Sequence, residues 1–204
     1  MKKIFIFDFD GVLINSRQNM LFSWAAVRKK HNIKKPFKLY FKNIGAPFKK
    51  ILDKIKINND QSLIEKTFKL NSIKHFNKIR LYPNVVDVLS ELKKKNIVGL
   101  LTSKDKHRTY KLLKKFKLVN YFNFIECPNK RYRGKPYPDQ IFKQIKKYKI
   151  KKKSIYYIGD MGYDSLTAKR AGINFIFASY GYGKLKKVKR IKKLTDLIKI
   201  SNEI

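Results

Sequence analysis

The sequence predicts an α/β protein, a parallel sheet with a helical segment inserted after its first strand. Five short apolar runs rich in β-formers recur along the chain, at residues 4–7, 97–101, 122–125, 155–158 and 175–177. Apolar runs of this length suit strands buried on both faces. Between most of them, apolar residues recur at helical spacing. Residues 15–82 break the alternation, with helical patterns but no convincing strand. Strands that alternate with helices build a parallel sheet through right-handed crossovers.

In chain order, the first run ends at Asp8. Within the insert, Met20, Trp24 and Val27 share one helix face, with Trp24 read as core, and Ile64, Phe68 and Phe76 suggest a second helix. Gly45-Ala46-Pro47 marks a turn between them, read equally as a loop that touches substrate. Val85, Val88, Leu89 and Leu92 predict a helix before the run at 97–101. Ile141, Phe142, Ile145 and Tyr148 predict another before 155–158. A helix from Ser165 should stop at Gly172, a C-terminal glycine cap. The expected division is a core of residues 1–14 and 83–204 and a helical domain of residues 15–82.

A chain of 204 residues is long enough for one full core plus a modest insertion, and 43% apolar content is ordinary for a globular protein. Its 50 Lys and Arg against 14 Asp and Glu give a formal charge of +36, a balance that points to anionic partners. The lysines are spread along the whole chain, however, and Lys, Ile, Asn, Phe and Tyr are abundant together, as AT-rich codons favour. Solvated helix faces such as Lys93, Lys94 and Lys95 are therefore the main reading, and nucleic acid is the less favoured partner. Either way a positive surface draws in phosphorylated substrates. The lone Cys127 excludes an intramolecular disulfide and has no zinc-ligand spacing around it, which suits a reducing compartment. The first apolar run is too short for a signal-peptide core, and no segment has transmembrane length. The expectation is a soluble cytoplasmic chain with no membrane partner. Oligomeric state is not legible.

Polar residues stand where strands end. Asp8 and Asp10 follow the first run, Thr102 the second, and Asp160 the fourth, with Asp164 just beyond; Lys135 opens a loop before Pro136. In an open parallel sheet the ligand crevice lies outside the carboxyl ends of the strands, so these residues should converge. Four carboxylates at one point repel unless a hard divalent cation balances them, and Mg²⁺ favours oxygen ligands shared with water and phosphate. Lys135 and the Thr102 hydroxyl add charge and a donor for phosphoryl oxygens. Asp8 and Asp10, at i and i+2 of an extended strand, point the same way, so one carboxylate can attack phosphorus while the other exchanges a proton. Gly11 lets the backbone turn and brings amides near the phosphate.

The segment Phe7-Asp8-Phe9-Asp10-Gly11-Val12-Leu13 resembles the first motif of the haloacid dehalogenase superfamily, DxDG[TV]L. Leu101-Thr102-Ser103-Lys104 is similar to its second motif, Gly134-Lys135-Pro136-Tyr137-Pro138-Asp139 to the third, and Gly159-Asp160-Met161-Gly162-Tyr163-Asp164 to the fourth, in the family's order. The resemblance covers nearly the whole chain. It implies a Rossmann-like parallel sheet core with a small all-helical cap domain inserted after the first strand, as in phosphoglycolate-phosphatase-like members. It implies Asp8 as nucleophile and metal ligand, Asp10 as general acid/base with its carbonyl on the metal, and Thr102 and Lys135 at the phosphate; Ser103 is a weaker phosphate candidate beside them. Asp160 would ligate Mg²⁺ and Asp164 support that site. Tyr180-Gly181-Tyr182-Gly183 resembles a late segment of the same subgroup, and Asn15 and Asn84 depart from its usual Asp and Gly. The implied activity is hydrolysis of a small phosphorylated metabolite of 2-phosphoglycolate or sugar-phosphate type. A phosphomutase of β-phosphoglucomutase type and a basic nucleic-acid-binding protein are the alternatives. Plainer readings make Asp164 a helix N-cap, Ser103 the cap of the next helix, and His31, His75 and His107 surface residues.

Overall fold

In a computed structural model describing residues 2–58 and 60–203, the elements run β1 (Ile4–Phe7), β2 (Ile14–Asn15), α1 (Arg17–Lys30), α2 (Phe37–Phe41), α3 (Phe48–Lys54), α4 (Gln61–Lys74), β3 (Arg80–Leu81), α5 (Val85–Lys95), β4 (Ile97–Leu101), α6 (Lys106–Lys115), β5 (Phe124–Glu126), α7 (Asp139–Tyr148), β6 (Ile155–Gly159), α8 (Gly162–Ala171), β7 (Asn174–Ala178), β8 (Arg190–Ile191) and α9 (Asp196–Glu203). Six strands form one parallel sheet in the order β5-β4-β1-β6-β7-β8. Ile4 lies level with Ile97 of β4 and with Ile155 of β6. Every residue of β1, β4 and β6 is buried, which is why their sequences are unbroken apolar runs. From β1 the chain builds outward through β4 to β5, then returns to β6 on the other side. The order therefore reverses between β1 and β6, and the crevice at their carboxyl ends is the place where such sheets bind ligands.

Ile4, Ile6, Ile97, Leu101, Ile155 and Tyr157 pack with Ile141 of α7 and with Ala168 and Ala171 of α8 in one core cluster. Gly172 ends α8 at φ +67, the left-handed cap expected of it. Asn84, at φ +60 before α5, explains one departure from the family pattern: the position needs the left-handed region, and Asn tolerates it better than most residues other than Gly.

Several boundaries differ from expectation. β5 begins at Phe124, not residue 122, because the Asn123 side chain takes the Val98 N–H (2.9 Å) in place of a ladder carbonyl. Phe142 is 42% exposed, beneath the Lys152 ammonium, so the α7 stripe is narrower than its spacing suggested. α8 starts three residues before Ser165, at Gly162. The two-residue strands β2, β3 and β8 are too short to leave a pattern in sequence.

Contacts divide the chain into two units, residues 1–14 with 81–204, and residues 15–80. The second unit contains α1 to α4. Its core holds Trp24, fully buried, stacked on Tyr40 at 4.6 Å and donating from Nε1 to the Lys35 carbonyl. Asn19 and Ser72 exchange two buried hydrogen bonds between α1 and α4 (2.7 and 2.9 Å). Phe76 lies past the end of α4 in a short 3₁₀ turn. His31 and His75 are half-buried, not surface residues: His31 bonds the Thr67 hydroxyl at 2.8 Å and His75 stacks on Phe22. His107 is exposed. Among the described residues no helix is long and apolar enough to cross a membrane.

Gly99 sits level with Phe124 on β5, and a Cβ there would lie 2.0 Å from the Phe124 ring. Gly99→Ala should destabilise the sheet by about 1–3 kcal/mol through overpacking. Adding Phe124→Leu should recover part of the loss in urea unfolding. An unchanged midpoint for the single variant refutes the packing argument.

Candidate active site

Asp8 continues directly from β1, and its N–H donates to Ile158 of β6 (2.9 Å), so its position is fixed by the central strand pair. Asp160 follows β6, and Asp164 sits in the first turn of α8. Lys135 reaches them from the loop before α7. That loop is closed by two bonds from the Arg133 guanidinium to the Asp139 carboxylate, both 2.9 Å. All four side chains are buried. The Lys135 ammonium donates to Asp8 Oδ1 at 2.6 Å and to Asp164 Oδ1 at 2.7 Å.

Each carboxylate has a different set of partners. Asp164 also accepts from the Tyr157 hydroxyl (3.0 Å) and from the Met161 and Asp160 N–H groups (3.0 and 3.2 Å). It lies inside the helix and reaches back to the residue before it, so it is not the N-cap itself. Asp160 Oδ2 accepts the Tyr182 N–H at 2.8 Å, while Asp160 Oδ1 is buried with no hydrogen-bond partner among the described residues. Glycines wall this residue. A Cβ at Gly11 (φ +88) would lie 2.0 Å from Asp160 Oδ2, and one at Gly183 would lie 2.0 Å from the Asp160 carbonyl oxygen.

One oxygen from each of Asp8, Asp160 and Asp164 falls within 4.8 Å of the others. Three buried carboxylates against one buried ammonium leave negative charge that a dry interior disfavours. Burial, opposed by Lys135 and reinforced by Asp164, pushes the Asp8 carboxyl up to about 7. Burial, then Asp164 and Asp8, hold Asp160 well above the ordinary carboxylate range. Burial works to lower the Lys135 ammonium, but Asp164 and Asp8 override it and keep it raised. The donor set is oxygen only and the Asp160 oxygen lacks a partner. Both features fit a hard divalent cation held by Asp8, Asp160 and Asp164.

Of the four carboxylates expected together, Asp10 stands outside this group. Its side chain is 17% exposed and its Oδ2 lies 3.1 Å from the Lys104 ammonium. Thr102 is buried, and its hydroxyl accepts from the Lys104 N–H at 3.1 Å. Ser103 does not cap α6; Asp105 does, accepting the Arg108 N–H at 3.0 Å. Gly45, Ala46 and Pro47 belong to the second unit, where Gly45 adopts φ +90, Ala46 is buried and Pro47 precedes α3. Sequence reading assigned no role to Lys104, Tyr157 or the Tyr182 N–H. A usable signal existed for Tyr157, since a phenol inside a buried strand needs a partner for its hydroxyl.

Protons and a cation compete for the same oxygens. Asp8 and Asp160 are both raised, so cation binding must displace protons from them. The stabilisation by a divalent cation should be small near pH 6 and should grow as pH rises through about 7. Thermal unfolding with and without the cation across this range checks the sign. A shift independent of pH refutes the shared oxygens.

A model of haloacid dehalogenase-like hydrolases matches residues 5–178. Pyrophosphatase PpaX of Oceanobacillus iheyensis is 25% identical over 170 residues, covering 82% of this chain and 79% of that one. A phosphoglycolate phosphatase of Haemophilus influenzae is 26% identical over 194 residues, covering 88% and 87%. A hydrolase of Pseudomonas syringae shares the fold with a TM-score of 0.87 at 23% identity, covering 100% and 99%. The family match spans β1 to β7 and includes Asp8, Asp10, Thr102, Lys135, Asp160 and Asp164: the chain belongs to the haloacid dehalogenase-like hydrolase family.

Proposed function

We propose that this chain hydrolyses a small phosphate monoester through a phosphoryl group carried on Asp8. The observation that supports this most is the buried set of Asp8, Asp160, Asp164 and Lys135 at the carboxyl ends of β1 and β6. A carboxylate oxygen of Asp8 bonds to phosphorus as the bond to the leaving oxygen breaks. Asp10, protonated, gives its proton to that oxygen. Asp10 then takes a proton from water as the water oxygen bonds to phosphorus and the Asp8–phosphorus bond breaks, which releases inorganic phosphate. Lys135, the Thr102 hydroxyl, Ser103 and the backbone at Gly11 bind phosphoryl oxygens and spread their charge. Asp8, Asp160 and the Asp10 carbonyl, with Asp164 in support, would hold Mg²⁺, which would supply charge neutralisation between carboxylates and phosphate.

The similarity to a phosphoglycolate phosphatase supports 2-phosphoglycolate as the substrate, and a sugar phosphate is the other small monoester of the proposed class. The similarity to pyrophosphatase PpaX supports pyrophosphate as a second reading. Gly45, Ala46 and Pro47 are assigned to substrate choice.

Asp8→Asn should abolish turnover, because an amide is a poor nucleophile. Asp10→Asn should lower turnover by about 10²–10⁴-fold yet still accept the phosphoryl group of p-nitrophenyl phosphate, whose leaving group needs little protonation. Intact mass after rapid quench should show one added phosphoryl group on Asp10→Asn and none on Asp8→Asn. Label on another residue, or turnover by Asp8→Asn, removes Asp8 from its role.

A panel of 2-phosphoglycolate, sugar phosphates and pyrophosphate, assayed by phosphate release, identifies the substrate class. EDTA should silence all of it and Mg²⁺ restore it. Substitutions at Gly45 to Pro47 should shift the order of preference without changing the Mg²⁺ requirement. A parent profile retained throughout would remove these residues from substrate choice.

A further inference from the structure

Lys104 takes no part in the reaction as described, yet it is placed with care. It lies between β4 and α6, and its side chain is only 7% exposed. A buried ammonium is costly unless paired. Its partner is Asp10, whose Oδ2 lies 3.1 Å from Nζ. The Lys104 backbone is tied on both sides: its N–H donates to the Thr102 hydroxyl (3.1 Å) and its carbonyl accepts from the Thr109 hydroxyl (3.3 Å). Asp105 and Arg108, also close to its charge, pair with each other at the start of α6. The ammonium is therefore a fixed point presented to Asp10 by a segment anchored to the residue at the end of β4.

We propose that Lys104 is a positioning residue for the proton transfers of Asp10. Holding Oδ2 stops the carboxylate from turning about its Cβ–Cγ bond, and so sets the direction in which Asp10 delivers and recovers its proton. This rests on Asp10 as the general acid/base, and the consequence is specific. A misdirected acid hurts substrates in proportion to how much their leaving group needs a proton, because displacement by about 1 Å can cost on the order of 10²-fold. A lysine that only supports the fold would lower every substrate by one factor. A lysine that binds the phosphoryl group directly would act whether or not Asp10 is intact.

The experiment compares phosphorylation rates, read as the burst of leaving group released, for p-nitrophenyl phosphate and phenyl phosphate. Lys104→Met should lose at least about 10-fold with phenyl phosphate and distinctly less with p-nitrophenyl phosphate. Lys104→Arg, which keeps the charge but moves it, should show a smaller loss with the same dependence on leaving group. In an Asp10→Asn background, Lys104→Met should cost nothing further. Equal losses on both substrates, no loss, or an undiminished loss in the Asp10→Asn background each overturn the proposal. If Lys104→Met fails to fold, Lys104→Arg decides: an unchanged or uniform rate refutes it. The underlying reading is tested separately, since Asp10→Asn alone must show the same leaving-group dependence; if it does not, the acid/base role of Asp10 fails first.

Discussion

The Lys135 ammonium bridges Asp8 and Asp164 in the buried floor of the site. Removing one partner of such a buried arrangement typically costs about 3–5 kcal/mol, because the charge left behind has no compensation. The surrounding structure serves this contact. The parallel pairing of β1 with β6 sets the spacing of Asp8 and Asp160. The first turn of α8 brings Asp164 back against the loop, and Tyr157 braces it from within the sheet. The loop before α7 is closed on itself by Arg133 and Asp139 before Lys135 enters the interior.

Close packing around Asp160 follows from the same requirement. Gly11, Gly181 and Gly183 leave room that no other residue would leave, and a Cβ at Gly181 would lie 2.4 Å from Asp160 Cβ. Tyr180 and Tyr182 fasten this segment to the loop after β1, with the Tyr180 hydroxyl donating to the Val12 carbonyl at 3.0 Å. The motif Tyr180-Gly181-Tyr182-Gly183 is thus a physical wall of the site, with glycines where backbone must approach and tyrosines where it must be held. Among the described residues one Asp160 carboxylate oxygen has no hydrogen-bond partner inside that wall, which suits it to be an oxygen ligand.

Two lysines at the site have opposite electrostatic settings. Lys135 faces two carboxylates and is held charged, whereas burial lowers Lys104, which has Asp10 as its close partner and Arg108 nearby. The first supports the charge balance of the floor, and the second is suited to steering one carboxylate. The large positive charge of the chain does not reveal this difference, since both are single members of a set of 50 Lys and Arg.

What the sequence by itself determined was local. Unbroken apolar runs marked the buried strands, helical spacing marked α5 and α7, and acids directly after strands marked the carboxyl-end crevice. These signals depend only on which residues are adjacent along the chain. The family motifs added the order Asp8, Thr102, Lys135, Asp160, which the fold brings to one end of the sheet. The tertiary structure alone decided the pairings. Sequence placed Asp10 near the other three carboxylates, and the structure adds a partner that sequence did not name, Lys104, 94 residues away. Asp164, read in sequence both as support for the metal site and as a cap, is the acceptor for Lys135, Tyr157 and two backbone groups. Burial and Coulomb interactions act through space and grow strong where water is excluded. Which lysine meets which carboxylate is therefore set by the positions of strand ends across the sheet, and no spacing along the chain encodes it.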